Sequence, residues 1–166
     1  MLFRLTASLL LLALVGCKYD VNSTGSALRS PLGVTGVPVA VSVPADGADG
    51  RPHVYVDSGK LTAANLVFVL RNRGATVASG AVASSGGLRI MPTIVSWVDR
   101  ASTGGFNRGD TIKVRLVVQD AAGKVLDDRI VTARADPDTF RQARPEALLR
   151  SLFEEWADRI FGKAKA

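Results

Sequence analysis

The stretch TIKVRLVVQ (Thr111–Gln119), with DAAGK (Asp120–Lys124) and VLDDRIVTAR (Val125–Arg134) after it, decides the fold. In the first run Ile112, Val114, Leu116 and Val118 alternate with Lys113, Arg115, Val117 and Gln119. A period of two marks a strand with one buried face. Ala121-Ala122-Gly123 has the proportions of a hairpin loop, with glycine at the left-handed position, so Val125–Arg134 returns as the antiparallel partner. In a regular hairpin centred on Ala122, Arg115 falls opposite Arg129 with Lys113 on the same face. Like charges directly opposite cost stability, and Asp127 is placed to relieve them diagonally. The sharper reading makes Lys113, Arg115 and Arg129 a candidate surface for an anionic partner.

Upstream, Leu88–Asp99 (LRIMPTIVSWVD) is the most apolar strand candidate, and Pro92 within it requires a bulge or an unpaired position. Val37, Val39, Val41 and Val43 alternate with Pro38, Ala40 and Ser42, so a further strand carries one valine face and Pro38 stands at its start. Ser58 is placed to cap a helix over Gly59–Asn72, apolar on most sides, which Gly74 stops. Ala75–Ala83 alternates weakly as a strand of small residues. Ser84–Gly87 is a turn, and so short a link favours an antiparallel hairpin over a crossover. Downstream, Pro145 opens a helix whose Leu148, Leu149, Leu152, Phe153, Trp156 and Ile160 form one stripe, with Gly162 ending it. These elements predict an α+β fold over residues 37–166: a single mixed, largely antiparallel sheet of about five strands with two helices on one face.

The N-terminus reads as an address. Arg4 precedes an apolar run, Leu5–Val15, that is shorter than the roughly 20 residues a membrane span needs but fits a signal peptide. Leu14-Val15-Gly16-Cys17 resembles the lipobox of bacterial lipoproteins. The resemblance implies cleavage after Gly16 and a diacylglycerol on the Cys17 thiol, so residues 1–16 are a signal peptide and the product is anchored to a membrane rather than spanning it. Lys18, in place of the aspartate associated with inner-membrane retention, implies the outer membrane. Residues 17–36, rich in Ser, Gly, Asn and Thr, read as the lipidated N-terminus and a flexible tether holding the domain on the order of 25 Å from the lipid.

Composition excludes much else. The chain has 166 residues, 21 Lys+Arg against 15 Asp+Glu, one Cys and one His. A single Cys leaves no disulfide framework or multi-cysteine metal site, and a single His leaves no two-histidine metal site. The arginines are spread without a dense run, and Tyr and Trp number two each, which argues against a nucleic-acid partner. No Walker loop, G-x-G-x-x-G or G-x-S-x-G occurs, so no cofactor is expected. Asn22-Ser-Thr24 and Arg108-Gly109-Asp110 match short motifs that carry no meaning in a bacterial lipoprotein. His53, near Asp46, Asp49, Asp57 and Ser58, reads as a loop histidine before it reads as a catalytic base.

Four runs, Val43-Pro-Ala-Asp-Gly47, Ser58-Gly59, Ile94-Val-Ser-Trp-Val-Asp-Arg-Ala101 and Val118-Gln-Asp-Ala-Ala-Gly-Lys-Val-Leu126, together resemble bacterial lipoproteins of the DUF4823 type. That family is similar in layout to the CsgG, TolB N-terminal and LpoB-like domains. The resemblance implies a periplasmic domain that binds other envelope proteins, and it carries over Trp97, Asp99, Arg100 and Ala101. Two departures stand out: the family's longer helical segment is replaced here by Ser84–Gly87, so part of one sheet face is expected either to lie uncovered or to be covered by a partner, and the loop Ser102–Arg108 lacks a tryptophan. The expected function is a non-enzymatic envelope assembly, regulatory or binding module. The competing readings are an envelope-polymer enzyme using His53 or the Asp99 region, and a subunit of a CsgG-like secretion assembly.

Overall fold

The computed structural model describes residues 19–25, 31–47, 57–79, 86–98, 110–135 and 145–163. Cys17 and the signal peptide, His53, Asp99, Arg100, Ala101 and the loop Ser102–Arg108 lie outside the described residues. The elements, in chain order, are β1 (Tyr19–Gly25), β2 (Pro38–Val41), α1 (Ser58–Asn72), β3 (Thr76–Ser79), β4 (Leu88–Val98), β5 (Thr111–Gln119), β6 (Val125–Ala135) and α2 (Pro145–Phe161). The fold is α+β, with one mixed six-stranded sheet in the order β1-β6-β5-β4-β2-β3.

The central hairpin forms as its alternation requires. Ile112, Val114, Leu116 and Val118 are buried, while Lys113 and Arg115 are exposed. Gly123 takes φ +83° at the turn. Asp120 builds the loop from its side chain, since Oδ1 accepts the N–H groups of Ala122 and Lys124, each at 2.9 Å. The register, however, is not that of a regular hairpin. It shifts between Val118 and Gln119, leaving Leu126 as an extra residue on β6, so Arg115 stands opposite Ile130 and Leu116 opposite Arg129. One inserted residue turns every later side chain of β6 to the other face.

β4 pairs antiparallel with β5 and carries its own shift between Ile94 and Ser96. Pro92 is accommodated by position. Ser42 N–H donates to the Ile90 carbonyl at 3.1 Å, so Ile90 turns its main-chain polar groups toward β2, and Pro92, two residues on, faces the same way. β2 ends at Val41, and the missing N–H of Pro92 therefore faces no strand. The strand read through Val43 stops short of it, and Val43 is exposed.

β2 pairs in parallel with both β3 and β4, so β3 and β4 run the same way on either side of it. The link after β3 is thus a crossover, not the expected antiparallel hairpin. Its brevity is no obstacle, because the four residues of β3 rise only about 13 Å, a distance that a short extended link can retrace.

The tether expected through residue 36 is also corrected. Tyr19–Gly25 is an edge strand in register with the end of β6, from Tyr19 opposite Ala135 to Gly25 opposite Arg129. Leu32 N–H donates to the Ile160 carbonyl at 2.7 Å, and Val34 is buried in the core. Polar composition misled here because an edge strand draws on its partner's main-chain groups and needs few apolar side chains of its own.

Both helices cover one sheet face, α1 over β2, β3 and β4, and α2 over β6 and β1. The α2 stripe, Leu148, Leu149, Leu152, Phe153, Trp156 and Ile160, is fully buried, each side chain contributing roughly 1.5–3 kcal/mol. Trp156 meets Phe161 edge to face at 5.4 Å. Leu66, Val69 and Leu70 of α1 join the same core. Arg73 ties the helices together at their C-terminal ends: its guanidinium donates to the Gly162 carbonyl at 2.7 Å and to Asp158 Oδ1 at 2.5 Å, a cation at the negative end of α2.

Candidate functional site

The helix-free face of the sheet collects the residues that could meet a partner. Side chains on the face opposite the core come from alternate positions: Arg89, Met91, Thr93 and Ser96 on β4, Lys113, Arg115 and Val117 on β5, and Asp128, Ile130, Thr132 and Arg134 on β6. Among the described residues no helix lies over them. Lys113 is flanked by Ser96 and Thr132, and Arg115 by Thr93 and Ile130.

Arg115 has a partner. Its Nε donates to Asp128 Oδ1 at 2.8 Å and a terminal nitrogen donates to Oδ2 at 2.6 Å, a two-pronged contact across the strands. Asp128 is held below the usual carboxylate range by that hydrogen bond, and Arg115 is raised by the same pair. The side chains remain 52% and 39% exposed, which screens the attraction. Lys113 stands exposed beside them.

Arg129 is not on this face. The bulge at Leu126 turns it into the core layer, where its Nε and a terminal nitrogen donate to Asp127 at 2.8 and 2.5 Å, with side-chain exposures of 7% and 1%. A further bond reaches Ser23 Oγ of β1 at 3.4 Å. The expected Arg115/Arg129 like-charge face is therefore replaced by two ion pairs on opposite faces. Trp97 also leaves the candidate surface: the shift between Ile94 and Ser96 sets it opposite Ile112, partly buried against the core. The structure thus brings together Lys113 and Arg115 and separates them from Trp97 and Arg129.

Two of the runs that carry the family resemblance meet in space, and their role is architectural. Asp46 Oδ1 accepts the Gly59 N–H at 2.7 Å, and Oδ2 accepts that of Asp57 at 3.3 Å. The carboxylate therefore caps α1 from the preceding loop, near the positive end of the helix dipole. Ser58, expected as the cap, is the first helical residue, and its Oγ accepts the Gly47 N–H at 3.2 Å. A Cβ on Gly59 would lie 2.1 Å from the Pro44 carbonyl oxygen, so that position requires glycine. The Val118–Leu126 run is the bulged hairpin itself.

Sequence reading missed Arg89, Met91, Thr93, Asp128, Ile130, Thr132 and Arg134 as neighbours of Lys113. The off-core positions of β4 were legible in its alternation, whereas those of β6 were hidden by the bulge. A cleft of about 520 Å³ lies between the helices, lined by Val69, Asn72, Arg73, Glu154, Asp158 and Lys163, and Arg73 in it is already committed to α2. Among the described residues no group of three or more His, Cys, Asp or Glu could hold a metal ion, and no helix is long and apolar enough to cross a membrane.

No family model and no curated protein matches the chain. Solved structures do. The PelC dodecamer from Paraburkholderia phytofirmans aligns with a TM-score of 0.60 at 17% identity, over 89% of this chain and 100% of that one. A point variant of the same PelC aligns with a TM-score of 0.62 at 15% identity over the same shares. A hypothetical protein from Chlamydia trachomatis aligns with a TM-score of 0.50 at 10% identity, over 76% and 98%. At these identities the likeness is one of fold.

Proposed function

We propose that this chain is a non-enzymatic lipoprotein of the bacterial cell envelope, anchored through Cys17 at the periplasmic face of the outer membrane. In this reading its α+β domain serves as a binding or assembly module. The observation that carries the proposal is the helix-free sheet face around Lys113, Arg115 and Thr132, where cations, threonines and the apolar Met91, Val117 and Ile130 stand side by side. The mixture suits a protein partner with an acidic rim. The lipobox resemblance supports the anchor, and Lys18 supports the outer membrane.

A Lys113→Glu exchange tests the surface. It should abolish recovery of the envelope complex while leaving the melting temperature of the purified domain unchanged, because an exposed substitution on a strand is nearly neutral for folding. Undiminished recovery of the complex would contradict the proposal. The likeness to PelC, a dodecamer, favours one variant of this reading, in which the partner is a further copy of the chain. Sizing of the lipidated protein in detergent separates that variant from a hetero-complex. The enzymatic alternative predicts that His53→Ala or Asp99→Ala abolishes a cellular phenotype with the fold intact.

A further inference from the structure

The register of β1 says where the anchor would sit. Tyr19 is the first residue of β1 and stands opposite Ala135, the last residue of β6. Only Lys18 separates Tyr19 from Cys17. Two Cα–Cα steps span at most about 7 Å, against the ~25 Å that a free tether of residues 18–36 would allow. The strand is well seated: seven consecutive residues pair with β6, and Val21 packs on the core. At its far end a Cβ on Gly25 would lie 2.5 Å from the Cβ of Arg129, so glycine permits the close approach there.

The elements sort cleanly between the two ends of the sheet. At the Tyr19 end β6 finishes, β4 finishes with Val98 opposite Thr111, and β5 begins. At the other end lie the hairpin Asp120–Lys124, the start of β2 and β3, and the C-termini of both helices. Those termini are fixed there by the Gly36 N–H bond to the Gly74 carbonyl and by Arg73 on Gly162. The distance along β6 from Ala135 to Val125 is about 34 Å.

We propose that the lipidated protein stands directly on the bilayer. The Tyr19–Ala135 end of the sheet lies at the lipid headgroups, and the Asp120–Lys124 hairpin and both helix C-termini point away from them. This rests on the lipid at Cys17. It deepens that reading by replacing a swinging domain with an oriented one, whose helix-free face rises upright from the membrane and is open from the side.

The chemistry of the chain makes the test direct, because lipidation consumes its one thiol and an introduced cysteine is then a unique labelling site. Full-length lipidated Arg134→Cys and Ala122→Cys proteins would each carry one fluorophore and be reconstituted in vesicles containing bromine-quencher phospholipid. The label at 134 should be quenched several-fold more strongly than the label at 122. Equal quenching at both positions overturns the orientation. A Val21→Pro, Ser23→Pro variant, its remaining fold checked by circular dichroism, should lose the contrast as β1 detaches; a contrast that survives also overturns it. Mass spectrometry of the N-terminus of the protein extracted from envelopes reports the anchor separately. An unmodified Cys17 removes the anchor reading and the orientation with it.

Discussion

Two adjacent aspartates show how much a single position decides. Asp127 is buried against Arg129 and Asp128 is exposed beside Arg115, although the two differ only in which face of β6 they occupy. Replacing Asp127 with Ala breaks a buried, two-pronged ion pair and should cost roughly 3–5 kcal/mol, read as a large fall in the denaturation midpoint. Asp128→Asn should lower that midpoint only slightly at neutral pH, because the pair is half exposed. That small difference should vanish in acid. Asp128 titrates below its ordinary value of 3.8 in the folded protein, so its contribution is present above that value and is lost as pH falls through the lowered folded one. The acid limb of the stability curve should therefore be shallower for Asp128→Asn than for the wild type below about pH 4. Gly59→Ala should destabilise by about 1–3 kcal/mol, the range for a forced overlap, because the Pro44 carbonyl occupies the space the methyl needs. A midpoint equal to that of the wild type would mean the β2–α1 loop is not held as described.

At the scale of elements, what was legible followed from side-chain periodicity. The alternation in β5 and the stripe of α2 identified both elements and their buried faces, because hydrophobic burial dictates those patterns directly. Leu152→Ala should accordingly cost about 2–5 kcal/mol, the range for a cavity in a closed core, and thermal unfolding would measure it. Pairing was less legible than type. The bulge at Leu126 carries no compositional mark, yet it moved Arg129 from the candidate surface into the interior. A similar shift in β4 moved Trp97. β1 was hidden because YDVNSTG draws its stability from main-chain bonds to β6, with Val21 the one side chain among residues 21–25 that packs on the core. β3 is legible as a strand but its pairing is not, since a short link favours a hairpin and the small size of β3 permits a crossover instead.

Over the whole molecule, three of the four resemblance runs are architectural, and the fourth reaches the candidate surface at Ser96. Asp46, Gly59 and the Asp120 loop build the scaffold, and Lys113 with its neighbours occupies the sheet face the helices leave open. The central claim is that this open face, on a lipid-held domain, meets a partner in the envelope. Photo-crosslinking in intact envelopes tests it most directly, with a crosslinking amino acid at Thr132 on the helix-free face and, for comparison, at Ala64 on the exposed side of α1. The account predicts a discrete higher-mass adduct from Thr132 and none from Ala64. Free monomer from both positions, or an adduct from Ala64 alone, would contradict it.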